Sequence, residues 1–384
     1  MDALFTDSLN GFRFTVRDWL RQNQPAEPFG PLDAPDGLAG RLAWERLLYD
    51  NGYAAVSWPV QYGGRGLGPW EELVFDEEYA ELGLPKRLNH VGLSLAGPTF
   101  MAHGTQEQTD RWLPGILTCE DIWCQGFSEP GAGSDLAGLR TRGEVDGDDV
   151  VINGQKIWTT NGIVANKMIA LVRTGNGAKK HQGITFIVVD LDVPGVDVRP
   201  LVQLHRESGF AEVFFDDVRV PLRNVIGDVD EGWRVAMTTL SVERGLSHGD
   251  HARARLSLDA VLRLAGAAAR SDATRERLGT LRARYYAYLQ MTYRITGMLA
   301  LGQDLGAAGN ISKLIWSELQ TAIGEERLQL LGEESEVLPD GDLDDPFPPA
   351  AREYWHARAS QIFAGTNQIQ KNIIAERALG LPKQ

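Results

Sequence analysis

The hydrophobic period of this chain changes twice along its length, and that change limits the available folds more than any other feature. From residue 1 to about 120, apolar residues recur every three or four positions in "FRFTVRDWLRQ", "LAGRLAWERLLYDNG", "WEELVFDEEYAELGL" and "TQEQTDRWLPGIL", the spacing of amphipathic helices. From about 121 to 230 the period falls to two. There "DVVINGQKIWTTN" reads as two short strands around Asn153-Gly154, a dipeptide suited to a tight hairpin turn, and "KMIALVRT", "ITFIVVDL" and "AEVFFDDVRVP" read as further strands. After Pro221 no proline occurs until Pro339, an interval long enough for three substantial antiparallel helices. "PDGDLDDPFPPA" then reads as an exposed loop before two last helices. The domains expected from this order are helical over 1–120, β over 121–231 and a helical bundle over 232–384.

Composition narrows the function. At 384 residues and 43% apolar content the chain can build sizeable cores. Its 38 basic against 52 acidic residues give −14 with no cationic stripe, so nucleic acid is not an expected partner. Neither a signal-peptide core nor an apolar run of membrane-spanning length stands out, so no membrane association is expected. Cys119 and Cys124, the only cysteines, are too few for a disulfide framework or a cysteine zinc site, and they suggest a reducing cytoplasm.

Three stretches could carry chemistry. "GFSEPGAGSD" (126–135) packs three glycines and a proline into ten residues, which makes either a sharp turn or a loop whose N–H groups approach a ligand closely. "GQKIWTTNG" (154–162) sets Trp158 before two hydroxyls, Thr159 and Thr160; the indole either packs in the core or flanks a planar heterocycle. "AGTNQ" (364–368) joins two helical stretches, with Gly365 suited to end the first and Thr366 or Asn367 to cap the second.

Together these stretches resemble the acyl-CoA dehydrogenase family, whose "TEPGAGSD", "KxWITN" and "GTxQI" motifs are matched by "SEPGAGSD" (128–135), "KIWTTN" (156–161) and "GTNQI" (365–369). The resemblance implies an α+β multidomain fold: an N-terminal α-helical domain, a middle β-barrel or sandwich domain and a C-terminal four-helix-bundle domain. It implies FAD between the last two domains, contacted by Gln125, Phe127, Ser128, Gly133, Ser134, Trp158, Thr160, Thr366, Asn367 and Gln368, with Thr160 the donor to the flavin N5 edge. "LQLLGEES" is similar to the family's adenine-contacting "QxxGG" through Gln329 and Gly332. The family's "RxxFG", which reaches the FAD pyrophosphate of a neighbouring subunit, has no counterpart; Arg282 and Arg284 are the candidates to replace it.

Most members of that family carry a catalytic glutamate immediately before the Gly-Thr, where this chain has Ala364. On a helix, Glu243 shares a stripe with Ala236, Leu240 and Ser247 and has no evident cation partner on its own helix. Burial on that stripe would raise its pKa toward the range of a general base, while a surface glutamate or an interhelical salt bridge fits the pattern as well. The resemblance favours the base. Isovaleryl- and long-chain acyl-CoA dehydrogenases keep their glutamate on this helix in an "ER" pair, as Glu243-Arg244 does here, with Ala or Gly before the Gly-Thr.

The implied reaction is removal of the α-proton of an acyl thioester by Glu243 with transfer of the β-hydride to FAD. Ser134 and Arg244 would line the thioester channel, Ala364 and Gly365 would hold its carbonyl, and an electron-transfer flavoprotein would take the electrons. CoA or an acyl carrier protein could bear the thioester. The expected assembly is a homodimer or homotetramer, or a heterotetramer with a related subunit. The rival readings are a non-catalytic partner subunit and a flavin oxidase or monooxygenase on the same scaffold. His248 and His251 flank Asp250 at a spacing that could chelate a metal, but no further ligand pattern accompanies them, and no metal site is expected.

Overall fold

A computed structural model of the chain describes residues 6–32, 34–84, 86–204, 209–245, 249–266, 271–335 and 349–382, with no side chains for 242–245. The first block contains α1 (Asp7–Asn23), α2 (Pro35–Asp50), α3 (Pro69–Glu81), a π turn at Gly92–Ala96 that runs into α4 (Gly97–His103), and α5 (Gln106–Thr118). Thr6 caps α1 and Thr105 caps α5, each through its side-chain oxygen. Val16, Leu20, Trp44, Leu48, Phe75 and Tyr79 close a core between α1, α2 and α3.

The strands β1 (Trp123–Gly126), β2 (Arg142–Asp146), β3 (Asp149–Thr160), β4 (Lys167–Arg173), β5 (Ile184–Asp190), β6 (Val196–Leu201) and β7 (Phe210–Pro221) form one sheet in the order β1-β4-β2-β3-β7-β6, with β5 paired to β4. Both faces of β4 and β5 are covered, which explains their continuous apolar runs. Ile169, Leu171, Phe186 and Val188 face a core shared with α4, α5 and the helix after the sheet, whereas Met168, Ala170, Val172, Ile187 and Val189 face a second core within the β block. Cys124 lies in that second core and Cys119 is buried as well, both as free thiols.

The expected hairpin at Asn153-Gly154 is not there: β3 is continuous through it. The hairpin turn is Gly147-Asp148 between β2 and β3, with Asp146 opposite Asp149 and Gly147 at φ 63°. The Asn153-Gly154 dipeptide instead faces a bulge in β7. Asn153 exchanges two 2.9 Å hydrogen bonds with Asp217, which sits at φ 51°, and a Cβ on Gly154 would lie 2.8 Å from the Thr141 backbone. Close strand approach, not a turn, selects that glycine. The short strands β1, β2 and β6 also escaped the alternation analysis.

Beyond the sheet come α6 (Gly232–Gly245), α7 (Asp250–Ala265), α8 (Asp272–Ala300), α9 (Ala308–Leu331), α10 (Pro349–Ala359) and α11 (Asn367–Ile373), the last continued by a π turn at Ile374–Ala378. The stretch expected to hold three helices holds four among the described residues, because α6 ends at Gly245 and α7 starts anew at Asp250. Ser247 and His248 lie outside the described residues, as does the proline-rich stretch up to residue 348. Ala254, Leu258, Leu281, Tyr285, Tyr288, Leu319 and Ile323 join α7, α8 and α9 in a core of their own. α6 is different: it packs against β5, α4 and α9, with Val235 and Ala236 in the core shared with the sheet. No described helix is long and apolar enough to cross a membrane.

Candidate active site

The first loop of the site is fastened at the end of β1. Ser128 accepts the N–H of Ile157 at 3.0 Å, which ties "SEPGAGSD" to β3. Glu129 completes the attachment: its carboxylate takes the N–H groups of Arg140 at 2.6 Å and Thr141 at 2.9 Å and the Lys156 ammonium at 2.7 Å. Lys156 is fully buried and also donates to the Phe127 carbonyl at 3.3 Å. Burial pushes its pKa down to about 8 against the pull of Glu129. Burial also disfavours the Glu129 carboxylate, but the Lys156 charge and the donors from Lys156, Thr141 and Arg140 outweigh it and hold that carboxyl below its usual range. Neither residue was singled out from sequence, although both lie inside the motifs quoted there.

Next to this attachment, β3 carries an extra residue. Lys156 pairs with Val213 and Thr159 with Ala211, so Ile157 and Trp158 oppose Glu212 alone. The bulge puts Trp158 at φ 60° and turns its indole outward, 56% exposed, edge-on to Phe210. The core alternative for this tryptophan is thereby excluded. Of the two hydroxyls that follow, Thr159 is buried and Thr160 half-buried, so Thr160 is the one a ligand can reach. Gln125 and Ser128 are half-buried, while Gly133 and Ser134 are exposed. The Phe127 ring is buried edge-on to Phe186.

The second element is the corner between α10 and α11. The helix expected to run into Ala364 stops at Ala359, and Thr366 caps α11 by accepting the N–H of Ile369 at 3.2 Å. Ala364 (φ 53°) and Gly365 (φ 79°) are both left-handed. Gln370 donates to the carbonyl of Ala364 at 2.8 Å, and a Cβ on Gly365 would meet that same amide nitrogen at 2.6 Å. Asn367, expected to face the cofactor, is buried: Lys313 and Ser317 donate to its Oδ1 at 2.7 and 3.0 Å, and its N–H is taken by Gln361. It fastens the corner to α9. Gln368 is exposed, as are Gln329 and Gly332 at the far end of α9.

The remaining candidates are scattered. Arg282 and Arg284 are exposed on α8, Arg282 over the Tyr286 ring. His251 is buried with its Nε2 2.8 Å from Glu77 of α3, so a carboxylate, not a metal, is its partner. Glu243 and Arg244 lie in the last turn of α6, and their side chains are outside the described ones.

The cradle fits a planar, phosphate-bearing cofactor. It offers an exposed indole, a hydroxyl beside it, open space over Gly131 and Gly133, and N–H groups of Gly133 and Ser134 that have no acceptor among the described residues. The chain matches family models for the N-terminal (residues 6–120), middle (124–218) and C-terminal (230–379) domains of acyl-CoA dehydrogenase. It is 40% identical to the acyl-CoA dehydrogenase IpdE1 of Mycobacterium tuberculosis over 97% of this chain and 98% of that one.

This chain belongs to the acyl-CoA dehydrogenase family.

Among solved structures, the Tcur3481-Tcur3483 steroid ACAD superimposes with a TM-score of 0.85 at 26% identity, covering 99% of both chains. The ChsE4-ChsE5 complex of Mycobacterium tuberculosis does so with 0.83 at 27%, covering 99% of both. Membership of the family implies a flavin cofactor.

Proposed function

We propose that this acyl-CoA dehydrogenase family member uses FAD to convert an acyl thioester into its 2,3-enoyl thioester. The observation that carries the reading is the Ala364–Thr366 corner: its N–H groups have no acceptor among the described residues, and its side chains include no proton acceptor. A free donor set polarises a thioester carbonyl and stabilises the enolate that develops there. The base must come from another element. We assign it to Glu243, three residues beyond Leu240 on α6, the helix packed between the sheet, α4 and α9.

Bound FAD supplies the acceptor for the β-hydride. Trp158 forms a wall for its ring system and Thr160 offers a hydroxyl to the ring edge. Gln125, the Phe127 backbone, Ser128, Gly133 and Ser134 line the same cradle, Thr366 and Gln368 close it from the bundle, and Gln329 and Gly332 serve the adenine half. Ser134 and Arg244 line the thioester channel. A methyl at Ala364 leaves more space beside the α-carbon than a glutamate would, which suits a branched or bulky acyl group. Beside the "SEPGAGSD" loop, Arg140, Arg173, Lys179 and Lys180 outnumber Glu129 and Asp135 in the lining of a groove of about 710 Å³, a local excess of positive charge that favours the phosphates of CoA in a chain of net charge −14. An electron-transfer flavoprotein is the proposed oxidant. Exposed Ile362, Phe363, Leu379 and Leu381 near the C-terminal corner support assembly with a second chain of this kind.

Anaerobic mixing of the purified flavoprotein with a panel of acyl-CoA thioesters tests the reading. At least one should bleach the wild-type flavin, and Glu243→Gln should slow the bleaching by about 10²–10⁴-fold. Near wild-type reduction in the variant removes the assigned base; a wild-type flavin that no thioester bleaches removes the activity. Slow reoxidation by O₂ is expected of a dehydrogenase, fast reoxidation of an oxidase.

A further inference from the structure

α4 and α6 meet through hydroxyls. Thr99 and Thr239 are both 0% exposed, on helices whose Phe100, Val235 and Ala236 belong to the apolar core shared with the sheet. Their Oγ1 atoms lie 2.8 Å apart. Thr99 Oγ1 is 2.7 Å from the Leu95 carbonyl, and Thr239 Oγ1 is 3.3 Å from that of Val235. Each hydroxyl has one proton to give, so the arrangement that uses the shorter carbonyl bond has Thr99 donate to Leu95 and Thr239 donate to Thr99. One turn along α4, His103 Nε2 lies 2.7 Å from Thr238 Oγ1.

These bonds fix what apolar contacts leave loose. Apolar burial is non-directional, whereas a hydrogen bond weakens steeply when bent. Thr238 and Thr239 leave α6 about 100° apart, so the two bonds oppose rotation of that helix about its axis in both senses. α4 gives them a firm reference. It grows out of the π turn, whose Leu93 carbonyl takes the buried Trp58 indole N–H at 3.2 Å, and a Cβ on Gly97 would lie 2.2 Å from that same ring. The next position on the Thr239 stripe is 243, one turn nearer the end of α6. Side-chain ends lie about 5–6 Å from a helix axis, so a rotation of about 20° displaces them by about 2 Å. A reacting group misplaced by about 1 Å already costs much of its rate.

We propose that Thr99 is a positioning residue for the base: by holding Thr239 it fixes the rotation of α6, and so the direction from which Glu243 meets the α-carbon of the thioester. The inference rests on the thioester-dehydrogenase reading and its assignment of Glu243. Thr99 has no exposed surface with which to touch a ligand, and it acts through α6.

The test is the rate of anaerobic flavin reduction by the acyl-CoA that bleaches the wild type fastest, prepared with hydrogen and with deuterium at its α-carbon. Thr99→Val, which keeps the shape and removes the hydroxyl, should reduce the flavin about 5- to 50-fold more slowly and show a larger α-deuterium effect than the wild type, with half-saturation within about threefold. Thr99→Ser, which restores the hydroxyl, should recover most of the rate. Adding Thr239→Val to Thr99→Val removes the hydroxyl left without its partner. That double variant should melt at a higher temperature than the single one and stay slow, and it replaces Thr99→Val should the single variant fail to fold. A wild-type rate in Thr99→Val, a Thr99→Ser protein as slow as Thr99→Val, or a double variant that regains rate together with stability overturns the role of Thr99 and leaves the dehydrogenase reading intact. A Glu243→Gln protein that reduces its flavin like the wild type removes the base and this inference with it. If no acyl-CoA bleaches the wild-type flavin, both readings fall.

Discussion

Two segments proposed to face the ligand are each held from behind by a buried lysine, and they are held by different physics. Behind the "SEPGAGSD" loop, Lys156 meets a carboxylate, Glu129, which also takes two backbone N–H groups. Behind the Ala364–Thr366 corner, Lys313 meets the neutral oxygen of Asn367, and among the described residues no carboxylate pairs with it. Burial brings both ammonium groups down to about 8. In the first case the charge is compensated and the loop depends on both partners. In the second the charge is carried as a cost, while Asn367 keeps a second donor in Ser317. Similar anchoring geometry thus leads to opposite expectations for mutation.

The largest effect is expected at the compensated pair. Lys156→Met leaves the Glu129 carboxylate buried without its cation and should lower unfolding free energy by about 3–5 kcal/mol in a urea titration. Adding Glu129→Gln to Lys156→Met should recover more than half of that loss, the remainder reflecting one backbone N–H left without an acceptor. If the double variant is no better than the single, the ion pair is not what fastens the loop.

Lys313→Met should be far milder, within about 1 kcal/mol of wild type in the same titration, because the lost hydrogen bond is offset by removal of a buried charge. A loss as large as that of Lys156→Met would break the comparison. The smallest effect concerns pH. The folded-state pKa of Lys313 is lowered from 10.5 to about 8, so the folded protein binds fewer protons than the unfolded chain between those values. Its burial cost is present in full below pH 8 and fades as pH rises toward 10.5. Wild-type stability relative to Lys313→Met should therefore increase across that window, and parallel curves would show that the ammonium is not desolvated.

Much of the fold could be read directly. The stretches of β4 and β5 were readable as strands, though not their burial on both faces, and Thr366 was recognisable as a helix cap. The hairpin was misread because Asn153-Gly154 and Gly147-Asp148 carry comparable turn signals. The pairing of β3 with β7 shows that the first faces a bulge, and the pairing of β2 with β3 shows that the second makes the turn. Within the site, Trp158 was singled out, but its outward direction depends on one unmatched residue in that same pairing. Glu129 and Lys156 stood inside quoted motifs and were passed over, since nothing local distinguishes a buried charged pair from two solvated residues. Lys313 and Ser317 had a signal, two polar residues at helical spacing on α9, but its meaning lay in the corner they hold.

The sequence by itself determined the order of helical and strand blocks, the family motifs and the absence of a carboxylate at position 364, because periodicity, glycine placement and side-chain identity are local properties. The tertiary structure alone decided which charges are buried, which indole is exposed and which N–H groups are left without acceptors. Those depend on what a distant segment brings to within hydrogen-bonding distance, as β7 does for Trp158 and α9 does for the loop after α10.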